Sequence, residues 1–347
     1  MDSYIKEYYQ NKASLIHQSL TELFPKICTE KWLRDITGRF ELSWDTDTLQ
    51  LAFLDPIHQY VQNKLVYNYS LGSILFMEAS SIDPEKYLSL ITISEVFDSC
   101  LKLFRDIAIY NPEKETLTEG LNIDKAILAN VGVALLTLPY YPILYNFPRL
   151  SEEERLKFFQ HSSQYISRVQ YANGTNLFRK AKMLHYKDER EYLQNAYYLN
   201  GPKLQFNLDV CFFLTYQNHT SEIKAGFDQL VRIFSQSYQL KSDYHDFKIW
   251  LKEHVNDRAE FIEATSFIPF YLSAHAGIDN LFEKTLTRDR IKALYEKSDV
   301  DIFVARVLEK NNDLMGQLIE RLPFAPDYRM IIMCYLSLLL DSKNQAE

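Results

Sequence analysis

The sequence has 347 residues, a formal net charge of −8 and 47% apolar side chains, which is enough to bury a large core. Acidic and basic residues are interspersed, so no basic stripe offers a footprint to a phosphate backbone and nucleic acid is not expected as a partner. Only 9 glycines and 11 prolines occur, too few for the many tight turns of an all-β or doubly wound protein. The composition therefore predicts an all-α protein.

Apolar residues recur at helical spacing along nearly the whole chain, interrupted by single prolines or short polar segments. In chain order, Asp83 as an N-cap and Pro84 in the first turn open a predicted helix of about seven turns, which Pro112 closes. An almost uncharged helix follows Lys125 and breaks at Pro139. Such a composition predicts a helix that is buried on most sides.

A third long helix is predicted from Ser151, with Glu154 in capping-box register, to a stop at Asn173-Gly174. The same periodicity places further helices at 203–217, 220–250, 257–275, 287–310 and 327–341. No internal repeat, low-complexity tract or Gly/Ser linker divides these segments. We therefore expect a single domain over residues 1–347.

The cysteines indicate a reducing environment. Cys28, Cys100, Cys211 and Cys334 are far apart and form no C-x-x-C pair, so neither a disulfide framework nor a zinc knuckle is expected. The N-terminal segment is charged and amphipathic, and no uncharged stretch of about 18 residues occurs elsewhere. We expect a cytoplasmic protein without a signal peptide or a membrane span.

Several common catalytic motifs are absent. The sequence contains no glycine-rich phosphate cradle, no H-E-x-x-H and no G-x-S-x-G, and its eight histidines are dispersed. Asn312, Asp313 and Glu320 match part of the metal triad of terpene cyclases, but Gly316 stands where the hydroxyl belongs and the segment lies near the C-terminus. We interpret this segment as an ordinary amphipathic helix.

The segment "SYQLKSDYHD" places Gln239, Asp243 and Asp246 on one helical face. It resembles the second Asp-rich motif, "AFQIxDDxxD", of the trans-isoprenyl diphosphate synthases, with Ser242 at the position of the first Asp. In that family two such motifs face each other across an apolar cavity, and their carboxylates hold Mg²⁺ ions that bind an allylic diphosphate. The resemblance implies the isoprenoid synthase fold, a single large helical bundle around a central apolar cavity.

The first Asp-rich motif of the family is matched less well. The segment "SEVFDSCLKLFRDIAI" is similar to "IELIHTASLIHDDIxD" and retains Glu95, but Arg105 replaces the first Asp, Asp106 keeps the second and Ile109 replaces the last. Lys203 is similar to the lysine of the family's "KT" segment, whereas the basic "GGKRxRP" segment has no counterpart. The resemblance covers roughly residues 60 to 275 in order and spacing.

The resemblance implies roles for individual residues. Three of them would be catalytic: Asp243, Asp246 and Gln239. Four carboxylates would hold Mg²⁺: Asp243, Asp246, Asp106 and Asp98. Four residues would contact the substrate: Lys203, Arg105, Cys100 and Leu101, the last two where relatives carry residues whose bulk sets tunnel depth. Because a guanidinium repels a nearby divalent cation, we hypothesise that Arg105 replaces a metal and pairs with Asp243 or Asp246.

Each of these sites also has a purely structural interpretation. Asp243 and Asp246 could lie on a solvated helix face, and Asp98, Lys102 and Asp106 form the ladder of a surface ion-pair stripe. Cys100 and Leu101 could be ordinary core residues. The basic patch formed by three residues could attract a diphosphate or an anionic membrane surface, or form a solvated helix end: Arg179, Lys180 and Lys182.

Two classes of function follow. In the favoured class, the protein binds a prenyl diphosphate or prenyl chain, has lost chain elongation and acts as a non-catalytic partner subunit, since both the first motif and the basic clamp are degraded. In the alternative, it is an active Mg²⁺-dependent prenyltransferase or terpene-synthase-like enzyme that uses Asp243 and Asp246. The resemblance further implies a homodimer, or a heterodimer with an active prenyl synthase.

Overall fold

The computed structural model describes residues 2–37, 45–62, 68–109, 125–137, 151–182, 186–215, 221–252, 267–268, 271–272 and 288–341. Within these residues the secondary structure is helical and contains no strand, which confirms the all-α prediction. The first helices are α1 (Asp2–Leu23), α2 (Glu30–Thr37), α3 (Thr46–Leu49), α4 (Asp55–Ile57), α5 (Asn68–Ala79), α6 (Leu88–Ile91), α7 (Ile93–Ile109) and α8 (Lys125–Thr137). The remaining helices are α9 (Glu152–Lys182), α10 (Glu189–Thr215), α11 (Ser221–Lys252), α12 (Arg288–Lys297), α13 (Val300–Arg321) and α14 (Pro326–Asp341). Two π-helical turns, Gln50–Leu54 and His58–Gln62, flank α4, and a 3₁₀ turn, Pro84–Tyr87, precedes α6.

The chain groups into two compact units, each built from two separate stretches. The first unit comprises the described parts of Met1–Ser162 and Phe206–Gln217, and the second comprises those of Ser163–Gln205 and Asn218–Glu347. The expectation of a single domain over 1–347, and of a central cavity within it, stays a prediction.

In the first unit, α7 packs closely against α8. A Cβ atom added at Gly132 would lie 2.9 Å from Cζ of Phe104, so the absence of a side chain on α8 makes room for this ring. Next to it, the Cys100 thiol donates to the Gly132 carbonyl oxygen at 3.2 Å. The described part of α8 ends at Thr137, and the predicted break at Pro139 lies outside the described residues. The helix has buried and half-buried residues and one exposed stripe that includes Val133.

In the second unit, α11 packs against α13 and α14. Its apolar residues at helical spacing, among them Leu230, Phe234 and Phe247, are buried, as expected for a helix that is covered on more than one side. The core around its C-terminal half also contains Tyr192 of α10 and Val304 of α13. Burial of these side chains fixes the position of the polar residues that lie between them on α11.

Some predicted boundaries are wrong. The helix predicted to stop at Asn173-Gly174 continues to Lys182 as α9, because an exposed helical glycine weakens a helix without ending it. The helix predicted from residue 203 begins at Glu189, with Pro202 inside it. The single helix predicted from Pro84 is divided into a 3₁₀ turn, α6 and α7, although Asp83 does cap its start by accepting from the Glu85 amide at 3.1 Å.

The later predicted helices agree better. The predicted segments at 220–250 and 327–341 correspond to α11 and α14, and the one at 287–310 becomes two helices, α12 and α13. The segment containing Asn312, Asp313 and Glu320 lies within α13, whose buried residues repeat at helical spacing. This confirms its interpretation as an amphipathic helix. Most of the helix predicted at 257–275 lies outside the described residues.

Candidate functional site

The clearest candidate site in the second unit is a set of polar side chains between α10 and α11, which we call the α10–α11 polar network. It consists of Tyr192 and Asn200 on α10, and Gln239 and Asp243 on α11. Asn200 Nδ2 donates to Gln239 Oε1 at 2.8 Å, and Gln239 Nε2 donates to Asp243 Oδ1 at 2.7 Å. The i, i+4 spacing of Gln239 and Asp243 places both side chains on one face of α11, so a single helical turn brings amide and carboxylate together.

Asp243 is a buried carboxylate. The residue is only 4% exposed, and Leu240 and Phe247 beside it on α11 are 5% and 0% exposed. A carboxylate in such surroundings depends on hydrogen-bond donors, because its desolvation is otherwise unfavourable. The interpretation of Asp243 as part of a solvated helix face is therefore wrong. Its catalytic and metal-binding roles stay predictions.

Tyr192 completes the network from the side of α10. It is 2% exposed, and its ring packs on Tyr186 and Phe267 with centroid distances of 5.2 and 4.8 Å. Burial, together with the nearby negative charge of Asp243, raises the pKa of Tyr192 well above the ordinary value of a phenol. The phenol therefore stays protonated beside the carboxylate.

Close packing of α10 on α11 brings these residues together. A Cβ atom added at Gly201 would lie 3.1 Å from Oγ of Ser235 and 3.0 Å from the Tyr197 ring. Gly201, which directly follows Asn200 on α10, thus permits a close approach to Ser235 on α11. Ser235 lies one turn before Gln239. Tyr192 and Asn200 were not predicted from the sequence. The available signal was Asn200-Gly201-Pro202, directly before residue 203, where a helix was predicted to begin.

The other predicted residues of α11 are less buried or less informative. Asp246 is half-buried, one turn beyond Asp243, and Ser242, where the resemblance places an acid, is 7% exposed. Lys203 belongs to α10, but its side chain lies outside the described residues. The substrate-binding role of Lys203 and the metal-binding role of Asp246 stay predictions.

On α7, in the first unit, Glu95 has a defined structural role. It is 1% exposed, and its Oε1 accepts from the backbone amides of Tyr69 and Ser70 at 2.7 and 2.8 Å. These amides belong to the first turn of α5, whose N–H groups have no partner within the helix, so the carboxylate caps that helix. The match of Glu95 to the family motif therefore coincides with a capping contact.

The remaining predicted residues of α7 are placed as follows. Asp98 and Leu101 are half-buried, while the side chains of Lys102, Arg105 and Asp106 lie outside the described residues. The pairing of Arg105 with Asp243 or Asp246, and the metal-binding roles of Asp98 and Asp106, therefore stay predictions. Cys100 is 0% exposed and burial raises its pKa to about 12, so its thiol is protonated; its role in substrate binding also stays a prediction.

Mg²⁺ is the cofactor that the resemblance implies, and we tested whether the described residues fit it. Mg²⁺ requires several oxygen ligands in near-octahedral geometry, whereas Asp243 Oδ1 already accepts from Gln239 and Ser242 supplies no carboxylate. In the part of the chain that the structure describes, no group of three or more His, Cys, Asp or Glu side chains could hold a metal. The described residues alone do not form a magnesium centre.

A second polar feature of this unit is an open depression between α9 and α10, with a volume of about 530 Å³. Its lining consists of Tyr171, Thr175, Arg179, Glu191, Gln194, Asn195 and Tyr198. Arg179 forms an ion pair with Glu191 and stacks 4.4 Å above the centroid of the Tyr186 ring. Glu191 thus offsets the charge of Arg179. This ion pair disfavours the interpretation of Arg179, Lys180 and Lys182 as a basic patch that attracts anions. The side chain of Lys180 lies outside the described residues, and Lys182 is exposed.

Comparisons with known proteins identify the fold. No family model and no curated protein sequence matches the chain. Among solved structures, a geranylgeranyl pyrophosphate synthetase from the archaeon Geoglobus acetivorans has a TM-score of 0.72 at 13% identity, covering 98% of this chain and 100% of that one. The geranylgeranyl pyrophosphate synthetase from Pyrococcus horikoshii Ot3 has a TM-score of 0.65 at 12% identity, covering 97% of this chain and 99% of that one. A farnesyl diphosphate synthase from T. brucei has a TM-score of 0.64 at 11% identity, covering 94% of this chain and 97% of that one.

The chain therefore has the fold of the trans-isoprenyl diphosphate synthases, as the resemblance of its motifs predicted. At identities this low, the likeness shows a shared fold alone. Among the helices that the structure describes, none combines the length and the apolar character needed to cross a membrane.

Proposed function

We propose that this protein is a divergent polyprenyl-diphosphate-synthase-like protein that binds a prenyl diphosphate or a prenyl chain and has lost chain elongation. The observation that carries this proposal is the state of Asp243, the best-retained acid of the second motif. It is 4% exposed, and its Oδ1 accepts a hydrogen bond from Gln239. The carboxylate is therefore not available to bind the cation that would stabilise the charge on a leaving diphosphate. Ser242 cannot replace it, because a hydroxyl carries no charge.

The proposed ligand follows from the fold. The similar solved structures are named as geranylgeranyl and farnesyl diphosphate synthases, and a prenyl diphosphate or prenyl chain is the ligand that such a fold supports in this protein. Retention of the fold without a complete set of carboxylates is consistent with binding but not with ionisation of the diphosphate.

We further propose that the protein acts as a partner subunit, either in a homodimer or in a heterodimer with a catalytically complete prenyl synthase. In the second unit, α9 exposes Tyr171, Leu177 and Phe178 to 67, 50 and 58%. Grouped apolar side chains of this size on a surface helix are typical of a protein interface. A cytoplasmic location suits the reduced thiols of Cys28 and Cys100.

A binding experiment tests the ligand. The purified protein is heated with geranyl, farnesyl or geranylgeranyl diphosphate, with and without Mg²⁺, and inorganic diphosphate serves as the control for the headgroup alone. A ligand at about a hundred times its Kd stabilises the native state by about 2.7 kcal/mol, so we expect a clear rise in Tm with at least one prenyl diphosphate. The absence of any rise would contradict the proposal.

An activity experiment separates the two classes of function. The lone protein and its mixture with an active prenyl synthase from the same cell are incubated with labelled prenyl diphosphates and Mg²⁺. We expect no diphosphate release from the lone protein and a changed product yield or chain length in the mixture. Release by the lone protein that Asp243→Asn abolishes would instead identify an active Mg²⁺-dependent prenyltransferase or terpene-synthase-like enzyme.

A further inference from the structure

The hydrogen bonds of the α10–α11 polar network determine the orientation of the Gln239 side chain. An amide has one accepting oxygen and one donating nitrogen. Because Asn200 donates to Oε1, the Nε2 group of Gln239 is directed to Asp243 Oδ1. The reversed amide would bring its oxygen against a carboxylate oxygen, which is repulsive. Asp243, which can only accept, therefore requires the Nε2 end of Gln239, and Asn200, on another helix, holds the amide in that orientation by donating to Oε1.

We propose that Asn200 is a positioning residue for the acid-bearing segment of α11, and that Asp243 is a fixed acceptor of the α10–α11 polar network rather than a ligand for Mg²⁺. This inference deepens the proposed function, on which it rests for the identity of the site. It assigns a role to an α10 residue that the motif resemblance does not include.

Displacement of this network by a cation would be unfavourable. A Mg²⁺ ion at Oδ1 would repel the donor hydrogen that Gln239 Nε2 directs to the same oxygen, and weakening this hydrogen bond in a partly buried site is destabilising. Mg²⁺ also keeps several waters when it binds, and a side chain that is 4% exposed has no room for them without movement of α11. The neighbouring Leu240 and Phe247 would have to lose their packing for that movement.

The position of Gly201 supports the same assignment. Gly201 allows α10 to approach Ser235 of α11, and Asn200 precedes it directly. The close contact therefore holds Asn200 at hydrogen-bond distance from Gln239. Local packing and the amide contact act on the same turn of α11.

A mutant cycle tests whether Asn200 acts through Gln239 on Asp243. Unfolding by urea at pH 7 is measured for Asn200→Ala, Asp243→Asn and the double variant, and the cycle is repeated in a Gln239→Met background. Loss of one buried hydrogen bond should raise the unfolding equilibrium constant by roughly three- to tenfold. We expect the effect of Asn200→Ala to be smaller when Asp243 is already replaced, and this coupling to disappear with Gln239→Met.

The matched control is Gln194→Ala, which removes an α10 amide that bonds to Tyr198 outside the network. It should change the unfolding equilibrium constant by less than about twofold and show no coupling to Asp243→Asn. Additive effects of Asn200→Ala and Asp243→Asn would overturn the positioning role of Asn200.

Hydrogen exchange on the full-length wild-type protein tests the second half of the proposal and needs no variant. Backbone exchange of residues 239–246 is compared in excess Mg²⁺ and in EDTA. We expect no difference, since Gln239 already engages Asp243 Oδ1 and the Asp243 side chain is only 4% exposed. Slower exchange of this segment in Mg²⁺ would overturn the proposal. A missing Tm rise with prenyl diphosphates would instead contradict the proposed function, and the exchange result would stand unchanged.

Discussion

At the scale of single residues, the burial of Tyr192 beside the Asp243 carboxylate makes the stability of the protein depend on alkaline pH. Burial and the Asp243 carboxylate raise the pKa of Tyr192, whereas an unfolded tyrosine titrates near pH 10, at about its model value. Between these two pKa values the unfolded state loses the proton and the native state keeps it. The stabilisation that the protonated Tyr192 gives to the native state is therefore fully present below about pH 10. It is lost as the pH rises through the native pKa of Tyr192.

Tyr192→Phe should remove this contribution. We expect the free energy of unfolding of the variant to fall less steeply above about pH 10, by up to about 1.4 kcal/mol per pH unit. Urea unfolding of both proteins between pH 8 and pH 11, about the range in which tyrosines titrate, measures the difference. Tyr171→Phe, at a residue that is 67% exposed, is the control for the same chemical change on the surface. If the free energy of unfolding of wild type and Tyr192→Phe fell equally steeply with pH, the raised pKa of Tyr192 would be contradicted.

The candidate site could be predicted only in part at this scale. Gln239 and Asp243 were found because their spacing on one helix is visible in the sequence. Asn200 and Tyr192 contact them from another helix, and the hydrogen bond from Asn200 to Gln239 spans 39 residues. No periodicity encodes such a contact. The burial of Asp243 was equally hidden, because the sequence shows the spacing of the acids but not which side of α11 another helix covers.

At the scale of helices, two glycines that both lie inside a helix have opposite effects on stability. Gly132 on α8 leaves space for the Phe104 ring of α7, whereas nothing lies within 4 Å of a Cβ built at Gly174 on α9. A helical glycine is about 1 kcal/mol less favourable than alanine when packing does not intervene. Gly174→Ala should therefore stabilise the protein by roughly 0.5–1 kcal/mol, while Gly132→Ala should destabilise it by about 1–2 kcal/mol through overpacking.

Chemical denaturation of the two variants measures this contrast, and Phe104→Leu provides its internal check. The three atoms nearest to a Cβ at residue 132 all belong to the Phe104 ring, so with the ring removed the step from glycine to alanine should become less unfavourable. A destabilising effect of Gly132→Ala that persists undiminished in the Phe104→Leu background would contradict the packing explanation.

The same glycines explain which helix boundaries the sequence could predict. Glycine and proline are weak evidence for a helix end when neighbouring helices supply the stability: α9 continues past Gly174 and α10 continues through Gly201 and Pro202. Conversely, the boundary between α6 and α7 lies at Thr92, which is buried and bonds back to Leu88 O, without glycine or proline. Periodicity predicts that a segment is helical, whereas tertiary contacts decide where it begins and ends.

At the scale of the whole molecule, the arrangement of the chain bears on how it unfolds. Each compact unit consists of two separate stretches of sequence, so neither can form from one contiguous segment. The likeness to the solved geranylgeranyl pyrophosphate synthetase covers 98% of this chain, so it extends over both units. These facts support the prediction of a single domain and hence of a single cooperative transition.

Calorimetry tests this prediction, with scans at several rates because large proteins often unfold irreversibly. We expect one transition in which calorimetric and van't Hoff enthalpies agree. The variants provide the sharper measurement, since Gly132→Ala alters the first unit and Tyr192→Phe alters the second. If the chain is one domain, each substitution shifts the entire transition, because destabilising any part destabilises the single native state. Two separable transitions, with each variant shifting only one of them, would show that the units are independent domains.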